Sequence, residues 1–454
     1  MRILHTADWH LGRIFYGRHL TDDQAQVLEI CFWPAIKDYK PDVIVLAGDV
    51  FDRAVPPVEA VRLWDETITR LASDYKIPVA VIGGNHDSAE RLEVGRALMA
   101  QCGLHVWGRI DSVKEPLYVS DHYGEVAFCP MPFGEPPTIL NTFGTVEANA
   151  NETVEPEPAP APKKPKASKK SKASKTAGIQ EDSLFGDAVD EDVVETAREA
   201  VTASPEEVVA EGDSVVDDYN SSYARAAYAF TNYWQQTVPA STRKVAIGHS
   251  MVVGGATCES ERPLTIGGTE AIPGGVFNGF NYVALGHLHG PQRVGRDEVR
   301  YSGSLMKYSF DEASQDKGMT FVDMNGDGSC QIEQIPLVAP RDVTVLTGSF
   351  DELLQDKELQ ARHKDDYLQI RLTDTTPVID GMARLRQVFP YTLALELTGR
   401  LTGEQQLSEP VLHRLSEQEL FERFMAEVRQ QPLSDDERQY VNGLWDRILK
   451  DDTL

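Results

Sequence analysis

Two histidines one residue apart, His287 and His289, stand between glycines at the end of the apolar run in "VALGHLHGPQ", residues 283–292. In an extended strand, alternate side chains point to the same side of the sheet, so the two imidazoles would face one side together. The chain has only 11 histidines among its 454 residues, so a pair placed in this way needs an explanation. Two imidazoles directed at one point indicate a metal-binding site, and the glycines beside them would let a phosphate approach the backbone.

Other side chains that can bind a metal also follow apolar segments. "ADWH" contains Asp8 and His10, again two residues apart, and "AGDVFD", "GGNHD" and "IGHS" contain Asp49, Asn85 and His249 in turn. Taken singly, an aspartate at a strand end is more often a turn former or helix cap, and a histidine is more often a satisfied polar residue. The joint pattern favours a site, because strand ends of an α/β sheet meet along the edge where ligands bind.

The types of ligand indicate which metal would bind. The candidate ligands are Asp8, His10, Asp49, Asn85, His249, His287 and His289. Imidazole with carboxylate and amide oxygen, without thiolate, suits manganese, iron or zinc better than calcium. Seven ligands are too many for one tetrahedral ion. They suit two ions that lie about 3.5 to 4 Å apart and share one carboxylate. Such a pair holds a phosphate and activates a water for in-line attack on phosphorus.

His86, next to Asn85 in "GGNHD", is placed to serve the chemistry in another way. It has the wrong phase along the strand to be a ligand, and we expect it to donate the proton that a leaving oxygen needs. Asp52 could orient its ring. The alternative is a structural histidine that lies behind the ligands.

Alternating strands and helices position these residues. Strands are predicted at "RILHTADWH", "DVIVLAGDVFD", "IPVAVIGGNHD", "RKVAIGHSMV" and "FNYVALGHLHG", and helices at "TDDQAQVLEICFWPAIKDYK", "PPVEAVRLWDETITRLAS" and "YARAAYAFTNYWQQTV". Thr21 would cap the first helix. In the second, Val61, Trp64, Ile68 and Leu71 have the spacing of one face. The alternation predicts an α/β layer.

The second half of the chain contains different elements. "DMNGDGSCQIEQ" begins like a calcium loop, but its twelfth residue is Gln334 and its flanks resemble strands, so a hairpin turn is predicted. Strands around a helix predict a small α+β unit from about residue 340 to 400. The tail from about 415 to 450 has apolar residues at helical spacing, and this surface could dock onto its own body or onto a partner.

Composition changes at about residue 145, where "EPEPAPAPKKPKASKKSKASK" is followed by an acidic stretch. With little to bury, residues 145–219 are expected to form a disordered insertion. A solvated tether is a better explanation of the lysines than a contact with DNA or a partner.

Net charge and hydropathy exclude some classes of function. The formal charge of −27 argues against a surface that binds nucleic acid over its whole area, because phosphates are neutralised by Lys and Arg. Bound metals or a basic partner would have to supply positive charge. No apolar run approaches the roughly 20 residues of a membrane span, and the N-terminus does not resemble a signal peptide, so we expect a cytoplasmic protein with reduced cysteines.

At these motifs the sequence resembles the calcineurin-like metallophosphoesterase superfamily. The blocks "DWH", "GDVFD", "GNHD", "GHS" and "GHLH" stand in that family's order between residue 1 and about 336. More narrowly, "MRILHTADWHLGRIFYGR", "VIVLAGDVFDRAVPP" and the α+β unit after residue 340 are similar to the nuclease subunits that work with SbcC-type ATPases in double-strand break repair.

The resemblance implies a fold and a division into domains. The fold would be a four-layer α/β/β/α sandwich, with a small α+β capping domain and a C-terminal helical tail. The nuclease domain would comprise residues 1–144 and 220–336, the capping domain 337–408, and the tail, which would grip the ATPase, 409–454. The insertion 145–219 departs from the family's pattern without interrupting a ligand block.

The resemblance also implies a site occupied by two manganese ions. Carried over by motif, one ion would be held by Asp8, His10, Asp49 and His289, and the other by Asp49, Asn85, His249 and His287. His86 would be the family's proton-donating or transition-state histidine.

The expected function is a manganese-dependent DNA nuclease that cleaves duplex ends as an exonuclease and single strands or hairpins as an endonuclease. Its partner would be a long coiled-coil ATPase of the SbcC type, with two copies of each subunit in a heterotetramer. One alternative is a small-molecule phosphodiesterase or protein phosphatase of the same superfamily. Another is a catalytically inactive scaffold, although a full ligand set with His86 counts against it.

Overall fold

The computed structural model describes residues 1–144, 221–261, 271–376 and 378–398, with isolated residues between 421 and 441. The predicted insertion 145–219 lies outside the described residues, and so does the predicted tail 409–454 apart from those isolated positions. The chain divides into two compact units, Met1–Val343 and Thr344–Leu454.

Two six-stranded sheets and one two-stranded sheet lie in the described part of the first unit. The strands of this unit are β1 Arg2–Thr6, β2 Ile14–Phe15, β3 Arg18–His19, β4 Val43–Ala47, β5 Val79–Ile82, β6 Leu104–Trp107, β7 Leu117–Asp121, β8 Gly124–Met131, β9 Arg243–His249, β10 Tyr282–Gly286, β11 Gln292–Val294, β12 Arg296–Tyr301, β13 Gly318–Met324 and β14 Cys330–Pro336. The six-stranded sheets have the orders β14-β13-β1-β4-β5-β6 and β11-β12-β10-β9-β8-β7, and β2 pairs with β3. Strands β1, β4, β5 and β6 are parallel, as are β8, β9, β10 and β12. The mixed α/β class of fold is therefore confirmed.

Helices connect the parallel strands. They are α1 Thr21–Val27, α2 Trp33–Tyr39, α3 Val58–Arg70, α4 Ala89–Leu92, α5 Arg96–Gln101, α6 Pro136–Phe143 and α7 Ser222–Thr237. The π-helical turn Leu28–Phe32 joins α1 to α2, and Leu71–Tyr75 extends α3. In the described ranges, no helix is both long enough and apolar enough to cross a bilayer.

Two details of the predicted helices are wrong. Thr21 is the first helical residue of α1 and Leu20 precedes it without a side-chain cap, so the first turn is favoured by Asp22 and Asp23 near the positive end of the helix dipole instead. Val61 is 45 % exposed and does not lie on the buried face of α3.

The two sheets share one apolar core. Ile3 and Val45 of the first sheet belong to the same buried cluster as Val245 and Val283 of the second. The parallel strands are almost continuously apolar because both of their faces are covered. His5 crosses this core, with Nδ1 2.9 Å from the Tyr282 hydroxyl, and burial lowers the pKa of His5 to about 3, so the ring is neutral.

The predicted hairpin turn is confirmed, because β13 and β14 pair antiparallel with Met324 opposite Cys330. In the second unit, strands β15 Val343–Gly348, β16 Tyr367–Leu372 and β17 Thr392–Leu397 form one sheet in that order, with helices α8 Phe350–Gln355, α9 Lys357–His363 and α10 Gly381–Leu385. The three strands and α10 were predicted. Helices α8 and α9 were missed, although Ser349 and Glu352 form a capping box at the start of α8.

Arg243 ties the two sheets together at the first residue of β9. Its guanidinium pairs with Asp121 at 2.6 and 3.0 Å and donates to the carbonyl oxygens of Gly124 and Asn325 at 3.0 and 3.3 Å. The side chain is 7 % exposed, so its loss would leave buried carbonyl oxygens without this donor and the buried Asp121 carboxylate with the Met1 ammonium, 2.8 Å away, as its remaining charged partner.

We predict that Arg243→Met lowers the free energy of unfolding by about 3 kcal/mol, measured by urea denaturation. Arg293→Met is the matched control, because Arg293 and Asp297 form a pair that is 60 % and 66 % exposed, and its effect should stay within about 0.5 kcal/mol. Equal effects of the two substitutions would contradict the role of Arg243.

Candidate metal centre

The candidate metal centre lies where parallel strands of both sheets end. Asp8 follows β1, Asp49 follows β4 and Asn85 follows β5, while His249 is the last residue of β9 and His287 follows β10. The carboxylates of Asp8 and Asp49 are 0 % and 2 % exposed. The fold therefore gathers at one place residues that are up to 279 positions apart in the chain.

The paired residues are not parts of extended strands, so the sequence-based reason for their proximity is wrong. Strand β1 ends at Thr6 and β10 ends at Gly286. Asp8, His10 and His287 have φ values of 51°, 45° and 100°, and Asp49 has 49°. Each such left-handed residue costs about 1–3 kcal/mol. Turns in strained conformations, and not the alternation of a strand, direct these side chains.

Among the described residues, converging side chains form three overlapping groups, two of which contain Asp49. Ligand atoms of Asp8, His10 and His289 lie within 4.8 Å of one another, as do those of Asp8, Asp49 and His249 and those of His10, Asp49 and His86. Asp49 Oδ2 is 3.5 Å from His10 Nε2 and also 3.5 Å from His249 Nε2. Asp49 thus lies close to one histidine from the end of each sheet.

Asn85 and His287 contact members of these groups. The Asn85 side-chain oxygen is 2.9 Å from His249 Nε2. The His287 ring lies 5.4 Å from the His249 ring, centre to centre, and its main-chain N–H donates to Asp8 at 2.9 Å. In the part of the chain that the structure describes, His287 belongs to none of the groups of converging ligand atoms.

His86 contacts the Asp49 carboxylate through its backbone, whose N–H donates to Asp49 Oδ1 at 2.9 Å. Its ring atom Nδ1 is 2.7 Å from the main-chain oxygen of Asp52. The Asp52 carboxylate instead accepts from Arg13 at 2.8 Å, so Asp52 orients the ring through its carbonyl group. His86 also lies within 4.8 Å of ligand atoms of His10 and Asp49.

The chemistry of the donors fits divalent cations. His10 Nε2 and His289 Nε2 are 3.0 Å apart, and since at most one proton fits between them, at least one lone pair points into the centre. Burial lowers the pKa of His10 well below its ordinary value and the pKa of His287 to about 3. Both rings are therefore in the neutral state that metal ligation requires.

The charges of Asp8, Asp49 and His249 depend on one another. Burial raises the pKa of Asp8 to about 7. Burial acts in the same direction on Asp49, but His249 and His10 hold the pKa of Asp49 well below its ordinary value. For His249, burial lowers the pKa, but Asp49 and Asp8 outweigh it and raise the pKa to about 9. A bound cation would replace the positive charge of His249, since a ligating imidazole is neutral.

Asp87 is a functional residue that sequence reasoning missed. Its carboxylate accepts from the backbone N–H groups of Val50, Phe51 and Gly84 at 3.1, 3.0 and 3.0 Å. It therefore fixes the loop that carries Asp49 to the loop that carries Asn85 and His86. A signal was present, because Asp87 is the last residue of "GGNHD".

Gln24, on α1, was also missed. Its fully buried amide donates to the carbonyl oxygens of Trp9 and His10 at 3.0 and 2.8 Å and to the Tyr308 hydroxyl at 3.0 Å. It holds the strained backbone around His10 in place. Nothing in the local sequence distinguishes it from a solvent-facing polar residue of a helix.

Gly286 is required by packing between the two sheets. A Cβ at this position would overlap the carbonyl oxygen of Ala47, at the end of β4. A Cβ at Gly290 would meet nothing closer than 3.4 Å. Gly286, the first of the two glycines that flank the paired histidines, thus allows β10 to lie close to β4.

We predict that Gly286→Ala lowers the free energy of unfolding by about 2 kcal/mol or more, because β10 must move away from β4. Displacement of His287 and His289 should also weaken manganese binding, measured by isothermal titration calorimetry. Gly290→Ala is the matched control and should change neither property appreciably. A Gly286→Ala chain with native stability would contradict the packing argument.

Two parts of the chain match known families. A family described as calcineurin-like phosphoesterase matches residues 1–164. A family described as type 5 capsule protein repressor C-terminal domain, SbcD_C in short form, matches residues 339–429. The first match includes Asp8, His10, Asp49, Asn85 and His86, whereas the three remaining histidine candidates lie beyond it.

Proposed function

Because the chain combines a calcineurin-like phosphoesterase domain with an SbcD-type C-terminal domain, as the SbcD nuclease subunit does, we propose that it is a metal-dependent DNA nuclease. In this proposal it cleaves duplex ends as an exonuclease and single strands or hairpins as an endonuclease. It acts in DNA repair and recombination with an SbcC-type coiled-coil ATPase. Two copies of the chain belong to each complex.

The observation that carries the proposal is the position of Asp49. A carboxylate that is 3.5 Å from imidazole nitrogens on two sides fits a ligand shared between two ions. One ion would be held by Asp8, His10, Asp49 and His289, and the other by Asp49, Asn85, His249 and His287. The chemistry that such ions supply when bound is activation of water and neutralisation of charge on the phosphate. Manganese is our choice among the ions that this donor set suits.

His86 would supply the proton that the leaving oxygen needs. The Asp52 carbonyl oxygen can only accept a hydrogen bond, so at 2.7 Å it keeps one proton on Nδ1. In this proposal the ring donates as an imidazolium. Its second proton, on Nε2, passes to the leaving oxygen as the bond between that oxygen and phosphorus breaks, and His86 is left neutral with its proton on Nδ1. The backbone N–H of His86 meanwhile holds the orientation of the Asp49 carboxylate.

The other parts of the chain serve substrate and partner in this proposal. Residues 337–408 form the cap that presents DNA, and residues 409–454 grip the ATPase. With a formal charge of −27, the chain is not expected to attract DNA over its own surface. Bound ions would neutralise phosphate locally, and the ATPase would supply the basic groove.

We predict that His86→Gln leaves manganese content nearly unchanged but lowers the rate of DNA cleavage by about 10²- to 10⁴-fold, since only the proton donor is lost. Asp49→Ala should lose both metal and activity. His122→Gln is the control, because His122 is exposed and lies outside the centre. Metal content is measured by elemental analysis and cleavage with labelled DNA. If His86→Gln released the metal, His86 would be a ligand and not the proton donor.

A comparison of substrates tests the class of reaction. The purified chain with manganese should cleave single-stranded and linear duplex DNA, and Asp49→Ala should not. A bis-aryl phosphodiester and an aryl phosphomonoester are measured beside the DNA, with and without the ATPase and ATP. Hydrolysis of the small esters without any DNA cleavage would favour a small-molecule phosphodiesterase or phosphatase. Manganese binding without any hydrolysis would favour a scaffold.

A further inference from the structure

A buried chain of hydrogen bonds leads from the candidate metal centre to a carboxylate that no motif identified. The Ser260 hydroxyl oxygen lies 2.6 Å from His289 Nδ1 and also contacts the Glu312 carboxylate. The exposed fractions of Ser260, His289 and Glu312 are 8 %, 1 % and 0 %. We call these three residues the relay. They come from three separate segments, so only the fold brings them together.

The direction of each hydrogen bond in the relay follows from its neighbours. Glu312 Oε1 accepts from the backbone N–H of Tyr308 at 3.2 Å, and Glu312 Oε2 accepts from the Lys317 ammonium. An N–H group and an ammonium can only donate. The Glu312 carboxylate is therefore an acceptor at both oxygens.

Ser260 has a single hydroxyl proton, and it donates this proton in a hydrogen bond to the Glu312 carboxylate. The Ser260 oxygen must then accept from its other neighbour, which is Nδ1 of His289. With its proton on Nδ1, His289 carries a lone pair on Nε2. That atom faces His10 Nε2 at 3.0 Å and converges with Asp8 and His10.

We propose that Glu312, acting through Ser260, holds the proton of His289 on Nδ1 and so keeps Nε2 free to bind a divalent cation. Glu312 and Ser260 are then positioning residues. The inference rests on the proposed metal-binding function of His289. It goes beyond that function because it assigns the choice of tautomer to two residues that touch neither metal nor substrate. An outer hydrogen-bond partner of this kind typically changes metal affinity by 10- to 100-fold.

The backbone of His289 is held by residues other than Ser260. Its N–H donates to Glu261 at 2.7 Å and its carbonyl oxygen accepts from Lys317 at 2.8 Å. Removal of the Ser260 hydroxyl should therefore release the ring and its tautomer while the backbone keeps its place. A substitution at Ser260 can separate control of the tautomer from support of the loop.

The first experiment measures manganese binding to the full chain by isothermal titration calorimetry. Ser260→Ala should weaken binding by about 10- to 100-fold. Ser309→Ala is the matched control, because the Ser309 hydroxyl contacts the same Glu312 oxygen and the Asp311 carboxylate but is not a member of the relay. Its affinity should stay within about threefold of the wild type. Equal losses in both variants would mean that the hydroxyls only support Glu312, and the inference would be wrong.

Glu312→Gln tests the direction of the hydrogen bonds without a change of shape. The Lys317 ammonium and the Tyr308 N–H both donate to this side chain. The charged ammonium forms the stronger hydrogen bond, so the amide oxygen should turn towards Lys317 and the NH₂ group towards Ser260. The Ser260 hydroxyl would then donate to Nδ1 and leave the proton of His289 on Nε2. We expect this isosteric variant to lose at least as much affinity as Ser260→Ala. Wild-type affinity in Glu312→Gln would overturn the inference.

The second experiment observes the tautomer directly in metal-free protein. Correlation spectra of the chain labelled with ¹⁵N-histidine report which ring nitrogen carries the proton, and the signals lost in His289→Gln identify His289. The wild type should carry it on Nδ1 and Glu312→Gln on Nε2. A wild-type proton on Nε2 would overturn the inference even if every variant failed to fold. If the wild type bound no manganese, the proposed function would fail instead, whatever the tautomer.

Discussion

The site depends on one constraint, which is that the carboxylate of Asp49 is buried between two sheets. A buried anion needs compensating partners, and here they come from the ends of different strands: His249 from the second sheet, and His10 and the His86 backbone from the first. The sheets must approach closely to supply them. Gly48 permits this approach, because a Cβ there would overlap the His249 ring. The Asp49 carboxylate belongs to two of the three groups of converging ligand atoms among the described residues.

Different parts of the fold provide stability and form the candidate site. Parallel strands with continuous apolar cores provide rigid ends, and the residues just beyond them adopt left-handed conformations that cost free energy. Buried side chains hold these turns. Asp87 gathers three backbone N–H groups and Gln24 binds two backbone carbonyl groups. The stability of the double sheet thus maintains a local geometry that the loops would not adopt alone.

Sequence reasoning found the elements whose signals are local. Apolar runs identified the parallel strands, "NGDG" identified the hairpin between β13 and β14, and the polar residues at strand ends identified where the candidate ligands lie. It did not find the left-handed turns at Asp8 and Asp49, because aspartate has no strong preference for that conformation. The contact of Ser260 with Glu312 spans 52 residues, and a contact of that range follows from topology and from no local pattern. Asp52 was expected to orient the His86 ring, and the ring contacts its carbonyl oxygen because Arg13 pairs with its carboxylate.

The central claim is that one carboxylate serves two ions. It is tested most directly by X-ray anomalous scattering from crystals of the full chain grown with manganese. We predict two anomalous peaks, one on each side of the Asp49 carboxylate. His10 and His289 should surround one peak, and His249 and His287 the other. A single peak, or two peaks of which only one contacts Asp49, would contradict the account.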